Sequence, residues 1–402
     1  MAVIALTNTQ QRHQFFQQTV LANLQYWQAW LGDKAGQTAA LDQERNGLIR
    51  AISFALDLDE AWGTVYELIA KIAPYMERRG YWDTWSWVLS RAIEVTLKKG
   101  DIAQSATLYH LLARLLRQQS RFRESIACYR RAVQYARQTG DQFTEGRAYT
   151  NLGYYFIEQG YWYRAEVLCC HALSIFEQID SQHGRAHTEN HLGLLYTRQR
   201  RWDKARQHLE RACAIWQGMG DEHGLMYGFM NLGLLYSEMG QPGEALSYAA
   251  KALDQARLTG DELALGNIYN NLGIAHKDKD DLMTAAAYYQ QAEVIFRRFS
   301  YVLGLAQVGG NLGVIYLKQG KWEDAIRYLE NSLEVHRNLN NRDGEVKALI
   351  DIVDCELTRE NRSQAIIRLN ELENLISRHN WGIEQLDYLK NCLTKYHRSL
   401  TR

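Results

Sequence analysis

Apolar residues recur along this chain at helical spacing, and the whole set recurs in turn. Ala148, Leu152 and Tyr155 or Phe156 fall on one helical face. They predict a helix from about Thr144 to Gln159, closed by Gly160, where a left-handed conformation costs little. A second helix follows from about Tyr161 to Ile179. The tripeptides Asn151-Leu152-Gly153, His191-Leu192-Gly193, Asn231-Leu232-Gly233, Asn271-Leu272-Gly273 and Asn311-Leu312-Gly313 then step along the chain about every forty residues. Other columns keep that register. One is aromatic or apolar (Trp82, Phe122, Trp162, Trp202, Leu282, Trp322) and one is alanine (Ala165, Ala205, Ala245, Ala285, Ala325, Ala365). A third runs Ala92, Ala132, Ala172, Ala212, Ala252, Ala292. Gly-Asp pairs begin at Gly100, Gly140, Gly220 and Gly260, each a helix stop followed by an N-cap candidate.

Each unit therefore reads as two helices. The turn Gly240-Gln241-Pro242 places proline in the first turn of a new helix, where its missing N–H is harmless. Gly153 and Ala165 are expected where the two helices cross, and a larger residue there would overpack the contact by roughly 1–3 kcal/mol.

Leu232, Gly233, Tyr236, Gly240, Ala245 and Ala252 match, in order, the consensus of the tetratricopeptide repeat, which this pattern resembles. That family's usual unit is about 34 residues; this is a longer variant. It is similar to the units of kinesin light chains, of LGN/Pins polarity adaptors and of the sensor regions of bacterial STAND ATPases. The resemblance implies an all-α fold, a right-handed superhelical solenoid of antiparallel helix pairs, over about 61–380 and some eight units. Arg200 and Asp280 replace the turn glycine, His276 replaces the aromatic, and the unit from Gly344 keeps little beyond Ala365. Residues 1–60 leave the register and suggest an N-terminal cap of two helices, roughly Gln10–Leu31 and Gln37–Leu58. The stretch Leu41 to Leu56 is similar to the segment leading into STAND repeats, although no ATPase sequence accompanies it. Residues 381–402 read as a capping helix, since an exposed solenoid end needs a polar cover.

The resemblance also implies a ligand groove lined by the first helix of each unit. Its sixth column is Leu111, Asn151, His191, Asn231, Asn271 and Asn311. Asparagine offers donors and an acceptor suited to a peptide backbone, so the column reads as a binding ladder or as braces between neighbouring helices. Tyr154, Asn190, Asn267, Asn270 and Gln307 join it as groove positions. Arg114, Arg117, Arg147 and Arg198 cluster toward the N-terminal half, and between Gln104 and Gly140 seven arginines face one acid, Glu124. They point to an acidic partner there, or to solvated outer faces.

Composition narrows the function. Lys plus Arg equals Asp plus Glu at 46 each, so nothing pulls the chain globally toward nucleic acid or anionic membrane. With only two prolines, helix is favoured throughout. The six cysteines form no CxxC pair and read as buried thiols of a reducing, cytoplasmic compartment; Cys169 and Cys170 are both expected in the core. Met1 to Leu6 lacks the basic flank of a signal peptide, and no apolar run reaches the roughly 18 residues of a membrane span. No P-loop, GxSxG or HExxH occurs, so no enzyme, cofactor or metal is expected. His183, His187 and His191, four apart, could share a zinc ion but read better as polar groove residues. The expected function is a non-enzymatic adaptor holding a peptide or protein segment. A regulatory sensor of a STAND-like signalling or defence system is the alternative, and an RNA-binding solenoid stands third.

Overall fold

The computed structural model describes residues 9–34, 38–379 and 381–401. The Met1–Leu6 stretch, the expected helix start at Gln37 and the expected solenoid end near Asn380 lie outside them. Nineteen α-helices follow one another in the described residues, with no strand among them. α1 (Thr9–Lys34) and α2 (Thr38–Ala55) come first, before a short 3-10 turn at Asp59–Ala61. Eight packed pairs follow. Units one to four are α3 (Trp62–Arg78) with α4 (Trp82–Lys99), α5 (Ile102–Gln118) with α6 (Phe122–Thr139), α7 (Gln142–Glu158) with α8 (Trp162–Gln178), and α9 (Gln182–Arg198) with α10 (Trp202–Met219). Units five to eight are α11 (Glu222–Glu238) with α12 (Pro242–Thr259), α13 (Glu262–Asp278) with α14 (Leu282–Arg298), α15 (Val302–Lys318) with α16 (Trp322–Asn338), and α17 (Arg342–Thr358) with α18 (Arg362–Ser377). α19 (Ile383–Thr401) packs on the last pair.

Local chemistry explains the regularity. Asp101, Asp141, Asp221 and Asp261 each accept the backbone N–H three residues on, as caps of the first helix of a unit. The residue closing most helices is left-handed. Glycine supplies this at 80, 100, 140, 160, 220, 240, 260 and 320. Ser120, Asp180, Arg200, Asp280, Ser300, Asn340 and Glu360 adopt it without glycine, at φ between +49° and +61°. Arg200 and Asp280 thus keep the geometry of the glycine they replace, at roughly 1–2 kcal/mol each. The helix crossing behaves as expected: a Cβ on Gly153 would stand 2.5 Å from Cys169 Sγ and 3.4 Å from the Ala165 carbonyl oxygen. One expectation fails. Of the six cysteines expected to be buried, Cys169 and Cys355 are, Cys128, Cys213 and Cys392 are half-buried, and Cys170 is exposed, because adjacent helical side chains point about 100° apart and only Cys169 meets the crossing.

Stacking of neighbours is not the whole fold, because the solenoid winds tightly enough for one turn to rest on the next. Arg79, at the end of α3, pairs with Glu262 of α13, which also takes Arg298. Trp82 meets Phe299 edge-on, ring centroids 5.7 Å apart. Further along, Arg342 lies over the Tyr161 ring at 3.8 Å, and Trp162 meets Trp381 at 5.6 Å. Arg200 covers Tyr388 at 4.2 Å. Phe299 consequently belongs to the apolar core of units one and two, together with Trp82 and Trp85.

Candidate functional site

The first helices of units three to eight enclose a cavity of about 1230 Å³, its mouth included. Tyr154 and Glu158 come from α7, Arg198 from α9, Asn231 and Glu238 from α11. α13 adds Asn267, Asn270 and Asn271, and α15 adds Gln307 and Asn311. α17 closes the far wall with Asp343, Lys347 and Asp351. The two walls meet where Arg198 approaches Asp343 at 3.8 Å and Glu238 at 4.0 Å.

The asparagine column runs through this wall, and its amides already make bonds. Asn231 Nδ2 donates to Asn190 Oδ1 at 3.0 Å, and Asn311 Nδ2 donates to Asn270 Oδ1 at 2.9 Å. Asn271 Nδ2 donates to the Met230 carbonyl at 3.2 Å. Asn151 Nδ2 contacts His110 Nε2 at 3.0 Å and donates to the Arg147 carbonyl at 2.9 Å. His191 Nδ1 lies 3.3 Å from the Thr150 carbonyl oxygen, and its ring stacks on Tyr154. Each of these residues reaches the first helix of the preceding unit. The column braces the stack, and at Asn231, Asn271 and Asn311 it also faces the cavity.

The other expected groove residues divide. Arg198, Tyr154, Asn267, Asn270 and Gln307 line the cavity; Asn151, His191, Asn190, Arg114, Arg117 and Arg147 do not. Arg114 pairs with the buried Glu77 at 2.8 Å, and Arg117 grips both oxygens of Glu158 at 2.8 and 2.9 Å. Arg147 lies beside Phe143; its burial, with Arg114 nearby, pushes its pKa down. The remaining five arginines of the basic stretch sit at exposed positions of the Arg121–Thr139 segment, two of them paired with Glu124 and Glu145.

Residue-by-residue reading missed the acids. Glu158, Glu238, Asp343 and Asp351 stand in the cavity wall against Arg198 and Lys347. Burial raises Asp351 to about 6, with Lys347 and Lys277 acting the other way, and burial also raises Asp343. Burial holds His336, on the same wall, down to about 4. One signal was available: Asp351 stands one step beyond Asn311 in the same column. No helix of the described residues is long and apolar enough to cross a membrane.

Comparison with known proteins places this geometry. The tetratricopeptide repeat pattern matches residues 144–218, 225–298 and 304–376, and a second pattern of the same description matches 106–139. No curated protein matches the chain. Among solved structures, a Rap protein complexed with Competence and Sporulation Factor superposes with a TM-score of 0.57 at 14% identity, covering 84% of this chain and 98% of that one. Aspartyl phosphate phosphatase F from Bacillus subtilis gives 0.53 at 13% identity, covering 91% and 94%. The apo form of RapI gives 0.50 at 16% identity, covering 68% and 97%. At these identities the likeness is one of fold.

Proposed function

The chain belongs to the tetratricopeptide repeat family, and we propose that it is a non-enzymatic adaptor that holds a peptide or protein segment in the cavity of its superhelix. The supporting observation is the cavity lining, where amides alternate with charged groups along a curved wall. Backbone-directed hydrogen bonds from Asn267, Gln307 and the asparagine column would give affinity, and Arg198, Lys347 and Asp351 would select side chains. A preference for acidic segments toward the N-terminal half would rest on Arg198, since Arg147 lies outside the cavity and Arg114 and Arg117 already hold Glu77 and Glu158. α1 with α2, and α19, would serve as the solenoid's caps. Free cysteines suit a cytoplasmic location.

The test is retention of peptides from a randomised pool by the full chain, read by mass spectrometry, beside Arg198→Ala and Asp351→Asn. These variants leave the asparagine braces intact. The reading predicts a changed set of retained peptides in both; identical sets from all three proteins would refute it.

A regulatory sensor is the second reading, favoured by the cavity's construction from two successive superhelical turns. A segment bound between Arg198 and Asp343 bears on the contact between turns, so binding would alter the pitch. That a Rap protein of this fold was solved with Competence and Sporulation Factor agrees with this reading. A ligand retained by the pool experiment should then change the small-angle scattering profile, whereas a rigid adaptor would scatter identically with and without it.

A further inference from the structure

The histidines of α9 acquire a partner that their spacing alone did not supply. His183 and His187 are one turn apart on one face, ring centroids 4.5 Å apart. His191, the third of the series, is drawn away to Tyr154 and the Thr150 carbonyl. In its place stands Asp221, the cap of α11 in the next unit. One donor atom from each of His183, His187 and Asp221 lies within 4.8 Å of the others. We propose that these three residues form a binding site for a divalent transition-metal ion of the zinc or nickel class, joining units four and five.

The donor set fits such an ion. Two imidazoles and one carboxylate are ligands that zinc and nickel accept, with open positions left over. Donor atoms at about 2.0–2.1 Å from a tetrahedral ion stand about 3.3 Å apart, so the three must close by up to about 1.5 Å. His183 is exposed and free to make that adjustment. Asp221 uses Oδ1 to cap Gly224 at 2.9 Å, which fixes the carboxylate and leaves its other oxygen available. His187 packs edge-on against the buried Trp216, ring centroids 5.2 Å apart, which orients its ring.

The test is calorimetric titration of the full chain, stripped with chelator and dialysed, with zinc chloride and then nickel chloride. Wild type should bind one ion per chain. His187→Gln and Asp221→Asn should each weaken binding at least about 10-fold. His171→Gln, on the exposed face of α8, should leave it unchanged. Asp221→Asn keeps the cap, because an asparagine oxygen accepts the same N–H. Thermal melts check each fold, and His183→Gln, at an exposed position, replaces His187→Gln if the latter unfolds. No stoichiometric binding by wild type would overturn the site. So would undiminished affinity in Asp221→Asn, which would mean that a surface histidine pair binds the ion alone.

Discussion

Phe299 and Met219 occupy the same place in the repeat, two steps apart, yet their surroundings differ. Phe299 is 3% exposed, pressed against Trp82 and Gly80 of the first unit, while Met219 is 45% exposed. The middle of the solenoid is held by neighbours in register. The seam, where α3 and α4 rest on α13 and α14, joins an in-register tryptophan, Trp82, to Phe299, whose column is otherwise not aromatic. Periodicity builds the stack, and departures from it such as Phe299 meet in-register residues such as Trp82 to close the superhelix.

The largest effect should come from that contrast. Phe299→Ala should cost about 3–5 kcal/mol in chemical denaturation, and Met219→Ala less than about 0.5 kcal/mol. Equal costs would mean that the seam adds nothing. The cavity wall should respond to pH. His336 is held at about 4 when folded, against an ordinary value near 6.5, so the unfolded chain binds more protons between those values. Its contribution is complete above about pH 6.5 and is lost as pH falls toward 4, by up to about 3 kcal/mol. His336→Gln should flatten the acid limb of a plot of Tm against pH. Asp351 has the opposite sign. Folding raises it to about 6, so stability falls as pH rises from the ordinary carboxylate range through 6. Asp351→Asn should therefore be the more stable protein at pH 8, by up to about 3 kcal/mol, with the gain disappearing near pH 4. The smallest effect concerns the turns. Glu360 is exposed and left-handed at φ +61°, so Glu360→Gly should stabilise by up to about 1 kcal/mol in the same denaturation assay.

The repeat register was legible because stacking demands the same small residue at every crossing, as Gly153 and Ala165 illustrate. Seven left-handed turns were harder to foresee, since Ser120 or Glu360 adopts that backbone only because the flanking helices impose it. Seam contacts such as Trp162 with Trp381 were not legible at all. They join chain segments far apart in sequence and depend on superhelical pitch, which sums small rotations over several units. The cavity shows both sides. Asn231, Asn271 and Asn311 were found by their column, but Asp343 enters only because the next turn brings α17 opposite α9. Asp221 likewise joins His183 and His187 through the stacking of α11 on α9, which the spacing of histidines along one helix does not reveal.

Closure of one turn on the next can be tested with a single cross-link. A Cβ on Gly160 would lie 3.8 Å from Asp343 Cβ, near the mean Cβ separation of a disulfide, which is about 3.8 Å. Gly160 is left-handed, so a cysteine there carries strain of roughly 1–2 kcal/mol, and the single variants serve as folding controls. In a Cys170→Ser background, mild oxidation of Gly160→Cys/Asp343→Cys should give an intramolecular disulfide, seen as a peptide joining positions 160 and 343. If both thiols stay free in a folded double variant, the superhelix does not close as described.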